Sequence, residues 1–551
     1  MEFSLGVISD AIASAVPDRE CIVQGPRRMT WREVSTRSRS LASFLSDQGL
    51  GAHVERGELK GWETGQDLLG VYMHNCPEYL ESLLGAMKAR LAPFNVNWRY
   101  GKDELRYLFN NAQASAIIYQ AQFAPIISEI LADVPSVKVL IQLDDGSGEP
   151  VFEGAVSYDE IMNSVSGADY QTQSSPDDLF VIYTGGTTGS PKGVLWRQAD
   201  IFPVALGGRR RDGTEYESLD ELVAAATKGK ARALPAAPFM HGAATFNAFS
   251  ALHSGGTVVL PPNAKGFDAD EVARVIVDES VTSLLIVGDA FATPLVQALD
   301  RLGEPVTTLR IIASGGAALS PLAKRALLDR IPGVRILDAV GATETGTQGQ
   351  VLNSVAAEGD ANAKTQIGSG EFALNPGTCV VSENRDHLLA PGSDEIGWLA
   401  TTGRMLLGYL GDPAKTSSII ATIDGERYTV AGDRAIILAD GRVKFLGREA
   451  ATINTGGEKV FAEEVEAVVK SDPSVVDVLV VGRPSARWGQ EVVALVQLDD
   501  GGSLDSDALH ASCRARLAGY KVPKQFVRVE KIPRSPAGKP DYAWAREQVG
   551  S

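Results

Sequence analysis

Apolar and polar positions alternate along this chain with two periods, and the points where one gives way to the other mark its elements. Up to about residue 50 the pattern predicts helix, strand and helix, with Arg28-Met-Thr-Trp-Arg-Glu33 passing from a strand through a Thr30 cap into an amphipathic helix. Residues 51–65 carry neither period and predict an extended surface loop, with a lid or a partner contact as the functional alternative. From Leu69 the apolar segments resume as a strand to Met73, a proline-initiated helix from Pro77 to about Arg90, and a strand around Pro93 to Asn97. The clearest periodicity lies further on. Thr282–Val287, Leu309–Ala313 and Val334–Val340 read as strands, alternating with helical patterns at Asp270–Glu279, Ala290–Arg301 and Pro321–Arg330. Such alternation predicts parallel strands joined by crossover helices. Beyond Gln350, short strands with Gly, Pro and Asp turns predict a small β-rich section to about residue 445, and the chain after Arg448 has strand and helix patterns of its own, enough for a second domain. The expected fold class is α/β: a large N-terminal domain, residues 1–447, with doubly wound sheets and a small β-rich section, plus a small α+β C-terminal domain, residues 448–551.

Composition narrows the partners. A chain of 551 residues with 44% apolar and 22% charged side chains has the make-up of a soluble protein of more than one domain. Its 69 acidic against 52 basic side chains, a formal charge of -17, argue against nucleic acid or anionic lipid as the main partner, while leaving room for a local basic pocket. Cys21, Cys76, Cys379 and Cys513 lie far apart without metal-ligand spacing and read as reduced thiols of a cytoplasmic protein. The first residues lack the features of a signal peptide, and no apolar run is long enough for a membrane span.

The chemistry concentrates in nine residues, Thr184-Gly-Gly-Thr-Thr-Gly-Ser-Pro-Lys192, which follow the apolar run Leu179–Tyr183 and precede Gly193–Trp196. They form a loop between strands. Gly185, Gly186 and Gly189 leave amide N–H groups uncovered, Thr184, Thr187, Thr188 and Ser190 add hydroxyl donors, and Lys192 adds positive charge. Such a loop suits an anion with several oxygens, most simply a polyphosphate, whereas glycines alone would suit an ordinary hairpin turn. It is not the P-loop of the nucleotide phosphotransferases, which needs Gly-Lys-Ser/Thr running into a helix. The later signals are weaker singly. His241, between Pro238 and Gly242, reads either as a core histidine or as a ligand contact. Ser314–Ala317 and Gly341–Gly346 follow predicted strands at the end where open α/β sheets bind ligands. The first turn would let a flat base approach the backbone; in the second, Thr343 and Glu344 suit a phosphate oxygen and a hard cation such as Mg²⁺, unless Glu344 merely caps the next segment. Asp433, at the end of the apolar run after Tyr428, suits two ribose hydroxyls or a plain turn. Lys539 sits in Arg534-Ser-Pro-Ala-Gly-Lys-Pro-Asp541, a loop where a lone lysine ordinarily has no role. The Arg209–Arg211 cluster, followed by acidic residues through Glu221, reads as a solvated helix or loop.

In order and spacing these strings resemble the adenylate-forming superfamily of acyl-CoA synthetases, luciferases and peptide-synthetase adenylation domains, over essentially the whole chain. Tyr183–Arg197, Ala518-Gly-Tyr-Lys-Val-Pro523 and Arg534–Tyr542 are similar to actinobacterial fatty-acid-type CoA ligases associated with sterol side-chain breakdown. The resemblance implies an ATP-dependent ligase that joins a small-molecule carboxylic acid to coenzyme A through an acyl-adenylate, with Mg²⁺. On that pattern Thr184, Gly185, Gly186, Thr187, Thr188, Gly189 and Lys192 hold the β- and γ-phosphates, and Gly315, Gly316 and Ala317 lie along adenine. Thr343 touches the α-phosphate, Glu344 ligates Mg²⁺, and Asp433 and Arg448 take the ribose hydroxyls. Lys539 bridges the carboxylate and the α-phosphate, His241 stands at the mouth of the acyl pocket, and Gly457 and Lys459 line the path of the pantetheine arm. The C-terminal domain is then mobile, turning between the two half-reactions. Two positions depart from the pattern: Val340 stands where many members stack an aromatic ring on adenine, and Ala450 where the family usually has a charged pivot. The alternatives are an enzyme that loads a carrier-protein thiol and a non-catalytic nucleotide- or acyl-binding module, the latter opposed by Lys539 and Glu344. A homodimer is a compatible assembly.

Overall fold

The chain folds as a mixed α/β protein with a large N-terminal sheet domain and a smaller C-terminal domain. The computed structural model describes residues 2–550 apart from 185–189, 211, 264, 356–367, 369, 449–450, 456–457, 486–487, 500–501, 536–537 and 539. Two compact units make up the backbone, one of Met1–Leu285, Thr343–Gly346 and Gly403–Ile420, the other of Ile286–Ala342, Thr347–Thr402 and Ala421–Ser551.

The first unit is built on an eight-stranded sheet. Its strands run in the order Gly408–Tyr409, Lys192–Arg197, Leu179–Thr184, Ala92–Asn95, Leu68–Tyr72, Ala116–Gln120, Val139–Leu143 and Ala155–Ser157. From Leu179–Thr184 onward neighbours are parallel, which is why these strands are apolar throughout rather than alternating: helices such as Pro77–Lys88 and Lys102–Ala112 cross over between them and cover the sheet. Leu68–Tyr72 and Ala116–Gln120 are buried at every position. A second group of strands, Arg232–Pro235, Thr257–Leu260 and Glu20–Gln24, is also parallel, and Arg27–Thr30 closes a hairpin on the last of these. Thr30 then caps the Trp31–Asp47 helix in a full capping box with Glu33, the cap expected from the sequence.

Residues 51–65 do lie at the surface, yet they are fastened. Ala52 bridges Gln66, a short 3₁₀ turn covers Arg56–Glu58, and Arg90 ties Glu55 to Asp178. The Trp62 carbonyl accepts from the Gly411 N–H at 2.8 Å. The basic cluster is equally local: Arg209 reaches Glu215, and Arg210 reaches Glu221.

The second unit carries the parallel pair Ile311–Gly315 and Arg335–Ala342, joined by the helix Pro321–Arg330. The expected β-rich section follows as antiparallel pairings of Thr378–Val381 with Gly397–Thr401, of that strand with Glu426–Ile437, and of Glu426–Ile437 with Val443–Arg448. One expectation is corrected here. Asp433 does not end its strand: around Gly432, at φ +98°, the strand bulges against Gly397–Thr401 and then runs on through the apolar Ala435–Ile437. The chain ends in a five-stranded sheet of Glu458–Phe461, Thr452–Thr455, Gly489–Leu498, Val475–Ser485 and Gln525–Val529, with helices Ala462–Val469, Ser506–Arg516 and Tyr542–Val549. Val465, Val478, Val480 and Phe526 are among its core residues. Cys21, Cys76 and Cys513 are buried and Cys379 is half-buried, all four as free thiols. Among the described residues no helix is long and apolar enough to cross a membrane.

Candidate active site

The phosphate-loop residues Gly185, Gly186, Thr187, Thr188 and Gly189 lie outside the described residues, but both of their anchors are in place. Leu179–Thr184 and Lys192–Arg197 form an antiparallel hairpin with Thr184 opposite Lys192. A single amide secures the hairpin's mouth. Asn95 accepts from the Tyr183 N–H at 2.8 Å and donates to the carbonyls of Tyr183 at 2.9 Å and Met240 at 2.6 Å. The segment leading to His241 is held further by Asn75, which donates to the Ala237 carbonyl and accepts from the Phe239 N–H. His241 itself is the half-buried N-cap residue of the helix Gly242–His253. The other end of that helix shows what a core histidine looks like. Burial lowers His253 to about 4, and its neutral ring donates from Nδ1 to the Leu206 carbonyl at 2.7 Å. Replacing Asn95 by alanine is expected to strand the Tyr183 and Met240 backbone groups at a cost of about 1–3 kcal/mol, read as a lower midpoint in urea unfolding.

Lys192, Thr343 and Glu344 come together within the same unit. Trp196 donates from Nε1 to the Thr343 carbonyl at 2.9 Å, and the Tyr409 hydroxyl donates to Glu344 Oε1 at 2.8 Å. Lys192 Nζ stands 5.7 Å from the centre of the Tyr409 ring. The segment after Glu344, Gly346–Asn353, is a strand and offers no helix N-terminus to cap.

The remaining candidates belong to the chain of the second unit. Gly315 closes its strand, and Gly316 turns at φ +84°; a Cβ there would lie 3.8 Å from Val287 Cγ1. Val340 is buried in an aliphatic and aromatic cluster with Val351 and Phe372. Lys539 lies outside the described residues, whereas the base of its loop is fixed by Arg534, which grips Asp477 at 2.6 and 2.8 Å and donates to the Gly538 carbonyl. Gly538 presses on the same Val287, where a Cβ would come within 3.2 Å of Cγ1. The Gly316 turn and the Gly538 turn thus share a neighbour. Asp433, 1% exposed, faces Arg448 across the strand pair with Nε 3.2 Å from Oδ1. Gly457 and the Lys459 side chain are outside the described residues, although Glu458–Phe461 is a strand.

Residues 10–410 match the AMP-binding enzyme family, and residues 464–539 match the AMP-binding enzyme C-terminal domain. The chain is an AMP-binding enzyme of the adenylate-forming superfamily. It is 48% identical to the medium-chain acyl-CoA ligase Mig of Mycobacterium avium, over 99% of this chain and 98% of that protein. To the medium/long-chain-fatty-acid–CoA/3-oxocholest-4-en-26-oate–CoA ligase of Mycobacterium marinum it is 38% identical, over 98% of this chain and 96% of the relative. Its fold matches the crystal structure of the anthranilate CoA ligase AuaEII in complex with anthranoyl-AMP with a TM-score of 0.81 at 20% identity, covering 100% of this chain and 97% of that one.

Members of this superfamily use a hard divalent cation with ATP, and the donor set of this AMP-binding enzyme fits one. Among the described residues no three carboxylate, His or Cys side chains gather into a protein-only cage. Mg²⁺ is commonly held instead by one or two carboxylates together with substrate phosphates, which is what Glu344 near the phosphate-loop lysine offers. Two features escaped sequence reasoning. Tyr409 belongs to no motif singled out in the sequence. Glu463 and Glu466 belong to no such motif either, yet burial pushes Glu463 up to about 7 and Glu466 up to about 8. The helix's core residues are Ala462, Val465 and Val469, and no spacing in the sequence marks the two half-buried glutamates.

Proposed function

We propose that this AMP-binding enzyme is an ATP-dependent acid–CoA ligase whose acid is a fatty or sterol side-chain carboxylate. The observation that carries the reading is the grouping of Lys192 and Glu344 about the Tyr409 ring at the root of the loop: an ammonium and a carboxylate of the kind that a polyphosphate and its cation call for. The acid class rests on the two relatives, named for medium-chain acyl groups and for medium/long-chain fatty acids and 3-oxocholest-4-en-26-oate.

A carboxylate is an anion with a poor leaving group, so it must be activated before a thiol can displace oxygen from it. One carboxylate oxygen attacks the α-phosphorus of ATP, the bond to the bridging oxygen breaks, and pyrophosphate leaves. Lys192 and Lys539 offset the charge that grows on the phosphate oxygens, the main protein contribution to transfers of this kind. Glu344 would hold Mg²⁺, which would supply further charge neutralisation there. The Gly315–Ala317 backbone receives adenine, and Asp433, held in line by Arg448, accepts the ribose hydroxyls. His241 lies at the acyl entrance. With Lys539 withdrawn, the CoA thiol attacks the acyl carbon, passing Gly457 and Lys459, and AMP leaves.

Pyrophosphate release measured with fatty, aromatic and sterol side-chain acids, each with and without CoA, tests the reading when the products are identified by mass. The expected product is an acyl-CoA thioester from the fatty or sterol acids. An adenylate that accumulates regardless of CoA would point to a carrier-protein acceptor, and thioester formed only from aromatic acids would overturn the acid class.

A further inference from the structure

We propose that Tyr409 is a positioning residue for the adenylation step, one that orients Glu344 toward the ATP-bound cation, and that residues 51–65 are its buttress rather than a lid. The proposal rests on the reading of Glu344 as the Mg²⁺ ligand. Tyr409 is 5% exposed, and its hydroxyl donates to Glu344 Oε1 at 2.8 Å. A hydrogen bond to one oxygen fixes the plane of a carboxylate and so aims the other, the usual task of a residue behind a metal ligand.

The tyrosine is itself held from three directions. Its main chain pairs with Val194, two residues beyond Lys192, so hydroxyl and ammonium are set by one piece of sheet. Its N–H donates to Thr416 Oγ1 at 2.9 Å. The third support comes from the surface segment, where Trp62 takes the Gly411 N–H and Gly61 lies so close that a Cβ would meet the Leu407 carbonyl oxygen at 2.6 Å. A lid would need a free edge there. This one is bonded to the chain just beyond the strand that carries Tyr409 and packs against the residue just before it.

The test compares Tyr409→Phe, Gly61→Ala and Glu344→Gln with the native chain, by electron paramagnetic resonance of Mn²⁺·ATP binding and by the Mg²⁺ dependence of adenylation. Tyr409→Phe is expected to weaken Mn²⁺·ATP binding about tenfold and to raise the Mg²⁺ requirement equally, with KM for the acid and the ligand-free melting temperature unchanged. Gly61→Ala should move both in the same direction by less, because its methyl displaces the Leu407 backbone. Native-like Mn²⁺·ATP binding by Tyr409→Phe, beside weakened binding by Glu344→Gln, would overturn the positioning role. Native-like binding by Glu344→Gln would remove Glu344 as the metal ligand, and the proposal with it.

Discussion

Lys539→Ala is expected to lower the adenylation rate by about 10²–10³-fold while leaving thioester formation from a supplied acyl-adenylate within a few-fold of native. The asymmetry follows from the chemistry. Only the first half-reaction builds negative charge on the α-phosphate while two anions approach, so only that step needs a cation between them. The loop around the lysine is built for placement: Arg534 clamps Asp477 and the Gly538 carbonyl, and Gly538 turns at φ +68° against Val287. The measurement is isotope exchange between pyrophosphate and ATP for the first step, and mass detection of thioester from synthetic acyl-adenylate for the second. Undiminished exchange would take Lys539 out of the chemistry. Equal loss of both steps would make it a general binding residue.

The second large effect is a fall in stability with rising pH, set by Glu463 and Glu466. Their ordinary value is 4.5, and in the folded chain burial raises them to about 7 and about 8, so each binds its proton more tightly folded than unfolded. Between pH 4.5 and 8 the unfolded chain releases protons that the folded chain keeps, and stability drops across that window before levelling off. The surroundings explain why ionisation is resisted. Glu463 lies beside Asp433 and Arg448 and against Gly447, where a Cβ would come within 2.1 Å of its carboxylate. Glu466 accepts from the Val480 N–H at 2.8 Å and from the Tyr542 hydroxyl, with Arg534 and Glu463 nearby. Glu466→Gln should remove on the order of 3 kcal/mol of the pH-dependent loss, seen as a smaller drop in melting temperature between pH 5.5 and 8.5. A drop identical to that of the native chain would show that another group titrates.

What could be read from sequence, and what could not, divides by the reach of the interactions. The hairpin around the phosphate loop, the Thr30 capping box and the parallel strand and helix alternation depend on neighbours, and they appear where periodicity put them, within a residue or two at their ends. Asp433 was misplaced at a strand end because a glycine after an apolar run reads as a stop, whereas here it makes a bulge and the ladder continues. Tyr409 and Glu344 are 65 positions apart, and no local pattern announces their bond. Glu463 and Glu466 carry the composition of a wet helix face; only their tertiary surroundings half-bury them and make them hold their protons. The tethering of residues 51–65 through a main-chain carbonyl has no side-chain signature at all.

The free thiols bear on how the enzyme can be watched. Burial drives Cys21 and Cys76 well above the usual thiol range and raises Cys513 as well, while Cys379, half-buried, is pushed up to about 11. None of the four holds an appreciable thiolate near neutrality, and thiolate is the form that attacks a disulfide reagent. CoA keeps an exposed, ordinary thiol until it is acylated. A chromogenic disulfide added to aliquots withdrawn from the reaction therefore reports the remaining CoA thiol against a nearly silent protein, and the fall in colour yield from one aliquot to the next becomes a clock for turnover.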